Sequence, residues 1–309
     1  MKSKHICPSC GQNKKFTRYI DTETNEYIDY KVGRCDRSDN CSYHYKPIQY
    51  FTDNKYLINT FNRKTEHKSN IHDIQKVIAP SFISFETFKF FLEIDFEKNN
   101  FNKYLIRLFG NDASNKLIEN YFISTSQIWE GATIFWQIDK NYKIRSGKIM
   151  LYDFETGKRN KTKNNWVHKV LNLTTFHLNQ CFFGEHLLNG NFKTVAVVES
   201  EKTAVIMSYF LPEFVWLGCG GKEGLNTNKF KILKGRNVIL FPDLSKNNLN
   251  NNCYQLWSKK ANEYKSFSKI IVSDFLERHS TDFEKKAGFD LADFFIKLHL
   301  KQKMTNFCF

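Results

Sequence analysis

The sequence predicts an α/β protein with three parts: a small Cys-rich β unit, a mixed α+β middle segment and a doubly wound parallel sheet. Three observations support this prediction. Four of the eight Cys lie within the first 41 residues. Residues 132–159 read as strands of period two, joined by polar turns. From residue 193 onward, short apolar runs alternate with segments of helical periodicity, the order expected of successive βα units.

The composition is that of a folded intracellular protein. The 309 residues are 41% apolar and 16% aromatic, enough for two or three domains with a sizeable core. No segment approaches the roughly 18 uninterrupted apolar residues of a membrane span. The start, "MKSKHICPSCGQNKK", lacks the apolar region of a secretory signal. We therefore expect a cytoplasmic protein that does not contact a membrane.

Half of the net charge of +14 is concentrated in one short block. Residues 140–169 contain nine Lys or Arg and two acids. Such a patch neutralises a polyanion and releases its counterions, which favours nucleic acid as the partner. The alternative is a basic face that is merely solvated. The candidate nucleic-acid contacts on these strands are Arg145, Lys148, Arg159 and Lys161.

The amino-terminal Cys residues form two short pairs with metal-ligand spacing. Cys7 and Cys10 belong to "CPSC", and Cys35 and Cys41 to "GRCDRSDNC". Without an export signal, tetrahedral zinc is favoured over disulfides. The segment between the pairs reads as a hairpin, so the prediction is a zinc ribbon whose fold depends on a structural Zn²⁺. His44 is an alternative to Cys41 as the fourth ligand.

The ribbon is also rich in aromatic residues among Lys and Arg, as in "KKFTRY" and "YHYK". These rings offer stacking faces for single-stranded bases, or they form the core of the ribbon itself.

The middle of the chain predicts helices followed by basic strands. Ser84 is a candidate N-cap three residues before Thr87, and Gly110 a candidate C-cap after "NNFNKYLIRLF". The predicted domains are a zinc ribbon over 1–50, a linker over 51–80, a mixed α+β basic subdomain over 81–185, and a parallel-sheet domain over 186–309.

Two predicted strands of the carboxyl-terminal domain end in acids. "TVAVVE" ends at Glu199 and "NVILFPD" at Asp243, so both carboxylates are expected at one edge of the parallel sheet. The Gly-rich "GCGGKEG" lies between them and is neither a dinucleotide-binding fingerprint nor a P-loop. Taken alone, Glu199 also fits a solvated turn residue.

A strand ending in Glu, a Gly-rich strand end and a strand ending in Asp resemble the Toprim pattern of DnaG-type primases, topoisomerases and related nucleases. A "CPSC…C…C" ribbon, a basic subdomain and then Toprim is the order found in primases. "FWQIDKNYKIRSGKIMLYD", "FFGEHLLN" and "GFDLADFF" are similar to segments at the corresponding places in those proteins. The chain also looks like uncharacterised Toprim proteins of bacterial mobile elements.

The resemblance implies an active site in which Glu199 and Asp243 hold Mg²⁺ or Mn²⁺. The family usually has Asp-x-Asp at the second acidic strand end, whereas this sequence has Asp243 followed by Ser245. A neutral hydroxyl is a poor ligand for Mg²⁺. Three nearby acids are candidates for the missing charge: Glu201, Asp290 and Asp293. Asp290 is equally well read as a helix cap.

The resemblance implies a primase-like enzyme that makes short RNA primers on single-stranded DNA from ribonucleoside triphosphates, in the replication of a mobile element or phage. The runner-up is a catalytically degenerate Toprim protein that only binds single-stranded DNA. A metal-dependent nuclease is the third reading. No helicase motif occurs in the sequence, so a replicative helicase would be a separate partner.

Overall fold

The two ends of the sequence form separate compact units, Met1–Lys76 and Val77–Phe309. The structure is a computed structural model. The predicted linker lies mostly outside the residues it describes, as does most of the Asn-rich segment 245–253. The described residues are 4–21, 26–37, 41–53, 79–245 and 252–306.

In its described residues, the first unit is a three-stranded antiparallel sheet, in the order β1-β2-β3, followed by the helix α1. Its small core contains Cys7, Phe16 and Cys35. Gly33 is required at the start of the second strand, because a Cβ there would lie 2.3 Å from the Thr17 carbonyl oxygen. The elements are β1 (Phe16–Arg18), β2 (Gly33–Cys35), β3 (His44–Tyr45) and α1 (Pro47–Asp53).

The second unit begins with helices whose caps were predictable. The Ser84 hydroxyl accepts a hydrogen bond from the Thr87 backbone N–H at 3.1 Å, which confirms that N-cap. Gly110 ends a helix with φ +86°, a conformation that favours glycine. The helices are α2 (Phe85–Leu92), a 3₁₀ turn (Phe96–Lys98), α3 (Asn100–Phe109) and α4 (Asn111–Asn120).

The predicted period-two region forms an antiparallel sheet of order β4-β5-β6-β7. The second strand is buried along its whole length because both of its faces are covered: Trp136 packs in the cluster of Phe88, and Phe135 in that of Phe101. The last strand is an exposed, basic edge. The elements are β4 (Ser124–Ser126), β5 (Ala132–Ile138), β6 (Ile144–Tyr152), β7 (Arg159–Trp166) and α5 (Val167–Val170).

The carboxyl-terminal part has the predicted parallel sheet, in the order β11-β10-β8-β9. The strands are β8 (Val195–Val198), β9 (Val215–Gly218), β10 (Asn237–Leu240) and β11 (Lys269–Val272). The helices are a 3₁₀ turn (Glu185–Leu188), α6 (Glu201–Phe210), α7 (Thr227–Ile232), α8 (Cys253–Tyr264), α9 (Phe275–His279), α10 (Asp282–Ala287) and α11 (Leu291–Asn306).

The strand order has a direct consequence for function. From β8 the chain moves to β9 on one side and then to β10 and β11 on the other. The order therefore reverses between β8 and β10, and open α/β sheets bind ligands at such a switch point, beyond the carboxyl ends of the strands.

One hydrophobic core joins the two sheets of the second unit. It contains Phe101 and Tyr152 from the antiparallel part together with Ala196 and Val198 from β8. Tyr121 links them further, because its hydroxyl donates to the Trp216 carbonyl at 3.0 Å. The predicted α/β fold class, with its zinc ribbon, mixed subdomain and parallel sheet, is confirmed. No helix in the described part of the chain is long and apolar enough to span a membrane.

Candidate metal centres and nucleic-acid cleft

The four predicted Cys side chains come together in the first unit. The sulfur atoms of Cys7, Cys10, Cys35 and Cys41 all lie within 4.8 Å of one another. Two of the separations are 3.7 Å, between Cys7 and Cys41, and 4.0 Å, between Cys10 and Cys35. Four sulfurs about 2.3 Å from one tetrahedral ion would be about 3.8 Å apart. The quartet therefore fits Zn²⁺.

Local backbone turns place these thiols. The Gly11 N–H donates to the Cys7 carbonyl at 2.9 Å, and the Cys41 N–H to the Arg37 carbonyl at 2.8 Å. A backbone hydrogen bond from Gln12 lowers the pKa of the Cys10 thiol to about 7, which favours the thiolate that binds metal. The alternative ligand His44 has its Nε2 2.7 Å from the Tyr19 hydroxyl and is not part of the sulfur cluster.

Glu199 and Asp243 lie at the carboxyl ends of β8 and β10, on either side of the switch point. Val197 pairs with Leu240, so the two strands end level with each other. The Asp243 backbone N–H donates to the Glu199 carboxylate. Among the residues that the structure describes, the buried Asp243 Oδ1 has no hydrogen-bond partner. A buried carboxylate oxygen without a partner is costly, and a bound cation would satisfy it.

Burial raises the pKa of both acids. For Glu199, hydrogen bonds from Cys253 and Asp243 oppose the effect of burial. For Asp243, the negative charges of Glu199, Asp290 and Asp293 add to it, so its pKa lies well above the ordinary value. Mutual repulsion of this kind is typical of carboxylates that share a cation. These two residues and this unpartnered oxygen fit a divalent metal.

Ser245, the position at which the sequence departs from the Toprim pattern that it resembles, has a structural contact. Its hydroxyl accepts a hydrogen bond from the Cys253 backbone N–H at 3.0 Å, at the start of α8. The Cys253 thiol in turn donates to Glu199 Oε1 at 2.7 Å. Ser245 thus positions the helix that places a donor on Glu199.

Asp290 and Asp293 lie at the start of α11, beside the same edge. The Asp293 N–H donates to Asp290 Oδ1 at 2.8 Å, and the Asp290 N–H to Asp293 Oδ2 at 3.2 Å. Thr203 donates to the other Asp290 oxygen at 2.7 Å. The helix-cap reading of Asp290 is therefore correct. Both side chains also line the cleft that contains Glu199 and Asp243.

Two lysine ammonium groups are paired with acids at this edge. Lys202 lies 3.5 Å from Asp293 and 3.9 Å from Asp290. Lys148, on β6, lies 3.1 Å from Glu201 Oε1, and the Glu201 side chain is only 2% exposed. In the described part of the chain, the Cys quartet is the one group of three or more potential metal ligands this tightly gathered.

The Gly-rich segment after β9 follows the edge closely. Gly220 donates its N–H to the Glu199 carbonyl at 2.9 Å with φ +88°, and Gly221 has φ +137°. The buried Lys229 ammonium donates to the Cys219 carbonyl at 2.6 Å and so holds the start of the segment in place. Gly220 and Gly221 therefore bring the backbone beside the carboxylates with no side chain of their own.

A cleft of about 1290 Å³ opens over the carboxylates. Three of the four predicted nucleic-acid contacts line it: Lys148, Arg159 and Lys161. Arg159 and Lys161 are exposed on β7. Further cations on its walls are Arg107, Lys158, Lys297 and Lys303. Arg145 is outside the cleft lining, and its guanidinium binds Asp139 at 2.8 Å.

The residue that sequence reasoning does not single out is Cys253. Its side chain is buried, at 1% exposure. Its position just after the N-cap Asn252, at the end of α8 nearest the acidic edge, was a usable signal, because helix starts meet the carboxyl edge of a parallel sheet. The ion pairs of Lys148 and Lys202 had no comparable signal.

Two families match parts of the chain. Residues 99–244 match a domain family of unknown function, DUF6371, and residues 1–56 match a family described as a zinc beta-ribbon finger. No curated protein matches. The second match agrees with the thiol cluster and with the predicted ribbon.

Three solved primase structures are similar in part. The primase fragment of the bacteriophage T7 primase-helicase protein is 14% identical, with 92% of this chain and 99% of that chain covered and a TM-score of 0.34. The zinc-binding and RNA polymerase domains of the Aquifex aeolicus primase are 11% identical, with 98% and 77% covered and a TM-score of 0.41. The E. coli primase catalytic core is 11% identical, with 70% and 72% covered and a TM-score of 0.33.

Proposed function

We propose that this protein is a primase-like nucleotidyltransferase of the Toprim type that synthesises short RNA primers on single-stranded DNA, in mobile-element or phage replication. One observation supports it most directly. Glu199 and Asp243 flank the switch point of a parallel sheet, with an unpartnered buried carboxylate oxygen, under a cleft lined by basic residues.

The chain's residues have distinct roles in this proposal. Glu199 and Asp243 would hold Mg²⁺ or Mn²⁺, which when bound orients the triphosphate and stabilises charge on the leaving pyrophosphate. Arg159 and Lys161 bind the backbone of the template strand. The zinc ribbon contacts single-stranded DNA through its exposed aromatic and basic residues. A separate helicase would present the template.

A second candidate function follows from Ser245. The family's second Asp is absent, and the hydroxyl in its place is occupied by the Cys253 N–H. A protein that binds single-stranded DNA without synthesising primers would still use the basic cleft, but it would not require an acid at position 245. A nuclease of the same metal site is the third outcome that an assay must distinguish.

The test is primer synthesis by the full-length, zinc-loaded protein. With single-stranded DNA, labelled ribonucleoside triphosphates and Mg²⁺ or Mn²⁺, we expect short oligoribonucleotides. Glu199→Gln should abolish them and leave DNA binding nearly unchanged, because it removes a metal ligand and no phosphate contact. Glu263→Gln, at an exposed position on α8, is the matched control and should retain synthesis.

The outcomes separate the three candidates. Tight DNA binding without product under either metal, across varied templates, would favour the degenerate Toprim protein. Degradation of the input DNA would indicate the nuclease. Full synthesis by Glu199→Gln would show that the active site is not at the edge of the sheet that carries Glu199 and Asp243.

A further inference from the structure

Lys202 has an unusual place for a lysine. It is in the first turn of α6, three residues after Glu199, and its side chain is only 15% exposed. Its ammonium lies 3.5 Å from an Asp293 oxygen and 3.9 Å from an Asp290 oxygen. It also lines the cleft with Glu199 and Asp243.

The ammonium is charged in this environment. Burial lowers the pKa of Lys202, but the carboxylates of Asp290 and Asp293 raise it further, and the net shift is upward. The same positive charge lowers the pKa of Asp243, against the effects of burial and of the neighbouring acids. One fixed cation therefore interacts with three aspartates at the carboxyl edge of the sheet.

The acids that could replace the family's second Asp are all neutralised in this way. Asp290 and Asp293 bind Lys202, and Glu201 binds Lys148 at 3.1 Å. A second divalent ion at this edge would have to displace an ammonium or lie against it, which like-charge repulsion opposes. None of the lysine ion pairs seen among the described residues involves Glu199 or Asp243, although the charge of Lys222 lowers the pKa of Glu199 against the effect of burial.

We propose that Lys202 is the resident cation of this carboxylate cluster and takes the place of a second divalent ion, so that the site binds one Mg²⁺ or Mn²⁺ through Glu199 and Asp243. The inference rests on the proposed function for the presence of a metal. It explains how the site can operate with Ser245, because an ammonium fixed by its own chain needs no further carboxylate as a ligand. From the cleft wall, Lys202 brings positive charge to substrate phosphates.

The test is the number of Mn²⁺ ions bound, measured by calorimetry and by the electron paramagnetic resonance of free Mn²⁺ on the full, zinc-loaded chain. The wild type should bind about one Mn²⁺. Lys202→Met frees Asp290 and Asp293 and should bind a second. Adding Asp293→Asn to that variant should remove the second ion again. Lys202→Arg keeps the charge and should bind one.

Lys297→Met is the matched control, because Lys297 lines the same cleft but pairs with Glu284. It should keep the wild-type stoichiometry. Zinc content and circular dichroism report folding in every variant. If Lys202→Met does not fold, Lys202→Gln, which also removes the positive charge, replaces it and should bind a second ion. A second ion bound by Lys202→Arg, or by the wild type, would overturn the inference.

Failure of the two proposals is distinguishable. One Mn²⁺ in both the wild type and a folded Lys202→Met variant refutes the role of Lys202 and leaves the metal site intact. Absence of Mn²⁺ binding in the wild type refutes the catalytic metal and this inference together.

Discussion

Glu199 receives hydrogen bonds from two segments far apart in the sequence, the Asp243 backbone and the Cys253 thiol. Both stabilise the ionised carboxylate, which is the form that binds a cation. Burial has the opposite effect, and the net pKa of Glu199 is raised. The neighbouring groups therefore determine how much of Glu199 is in the ionised form that binds a cation.

Removing the thiol should make metal binding by this residue more dependent on pH. Cys253→Ala removes the hydrogen bond from the thiol, so the pKa of Glu199 should rise further. A larger fraction of the Glu199 carboxyl groups is then protonated as the pH falls. We expect the midpoint of Mn²⁺ binding, measured by calorimetry at a series of pH values, to move to higher pH.

Cys253→Ser keeps a donor at the same place and should leave the midpoint near that of the wild type. Equal midpoints for the Ala, Ser and wild-type proteins would show that the thiol does not act on Glu199.

The residues at this edge show which features were predictable from sequence. Glu199 and Asp243 could be placed because each follows an apolar run and parallel strands end at a common edge. The pairing of Lys202 with Asp293 joins the start of α6 to that of α11, 91 positions later in the printed sequence. Such contacts depend on how helices pack over the sheet, which local periodicity does not encode.

The strand β7 is an exposed basic edge of the antiparallel sheet. Arg159 and Lys161 project from it into the cleft, whereas the other two predicted contacts are paired with acids, Arg145 with Asp139 and Lys148 with Glu201. The period-two pattern predicted the strands. It did not show that two acids outside residues 140–169, Asp139 and Glu201, would pair with two of the four predicted contacts.

We therefore expect Arg159→Ala combined with Lys161→Ala to weaken binding to single-stranded DNA and to reduce its salt dependence. Two lost phosphate contacts should flatten the slope of log affinity against log salt by roughly one to two units. Fluorescence anisotropy over a salt series measures both quantities. Lys231→Ala with Lys234→Ala removes the same charge from exposed positions outside the cleft and is the control.

If the two double variants have the same slope, β7 is a solvated basic face and the template lies elsewhere. The sign of the effect also matters, because a steeper slope in the β7 variant would contradict phosphate binding by these residues.

The chain has two compact units, and we expect them to be stabilised in different ways. The first unit has a small core of Cys7, Phe16 and Cys35, against which the partly buried Tyr43 packs. The second has extensive buried clusters on both sheets. So small a core needs a metal to be stable, whereas the larger unit does not.

Loss of zinc should therefore unfold the first unit alone. The wild type should contain about one equivalent of zinc, and Cys35→Ser, which replaces a buried ligand, should release it. Hydrogen exchange of the full-length variant should show fast exchange for β1 and β2 and unchanged protection for β5, β8 and β10. Mn²⁺ binding at Glu199 and Asp243 should persist. Cys181→Ser removes a buried thiol from the second unit and should keep its zinc. Retention of full zinc by Cys35→Ser would refute the four-thiol site, and a loss of protection in β8 would contradict the separation of the two units.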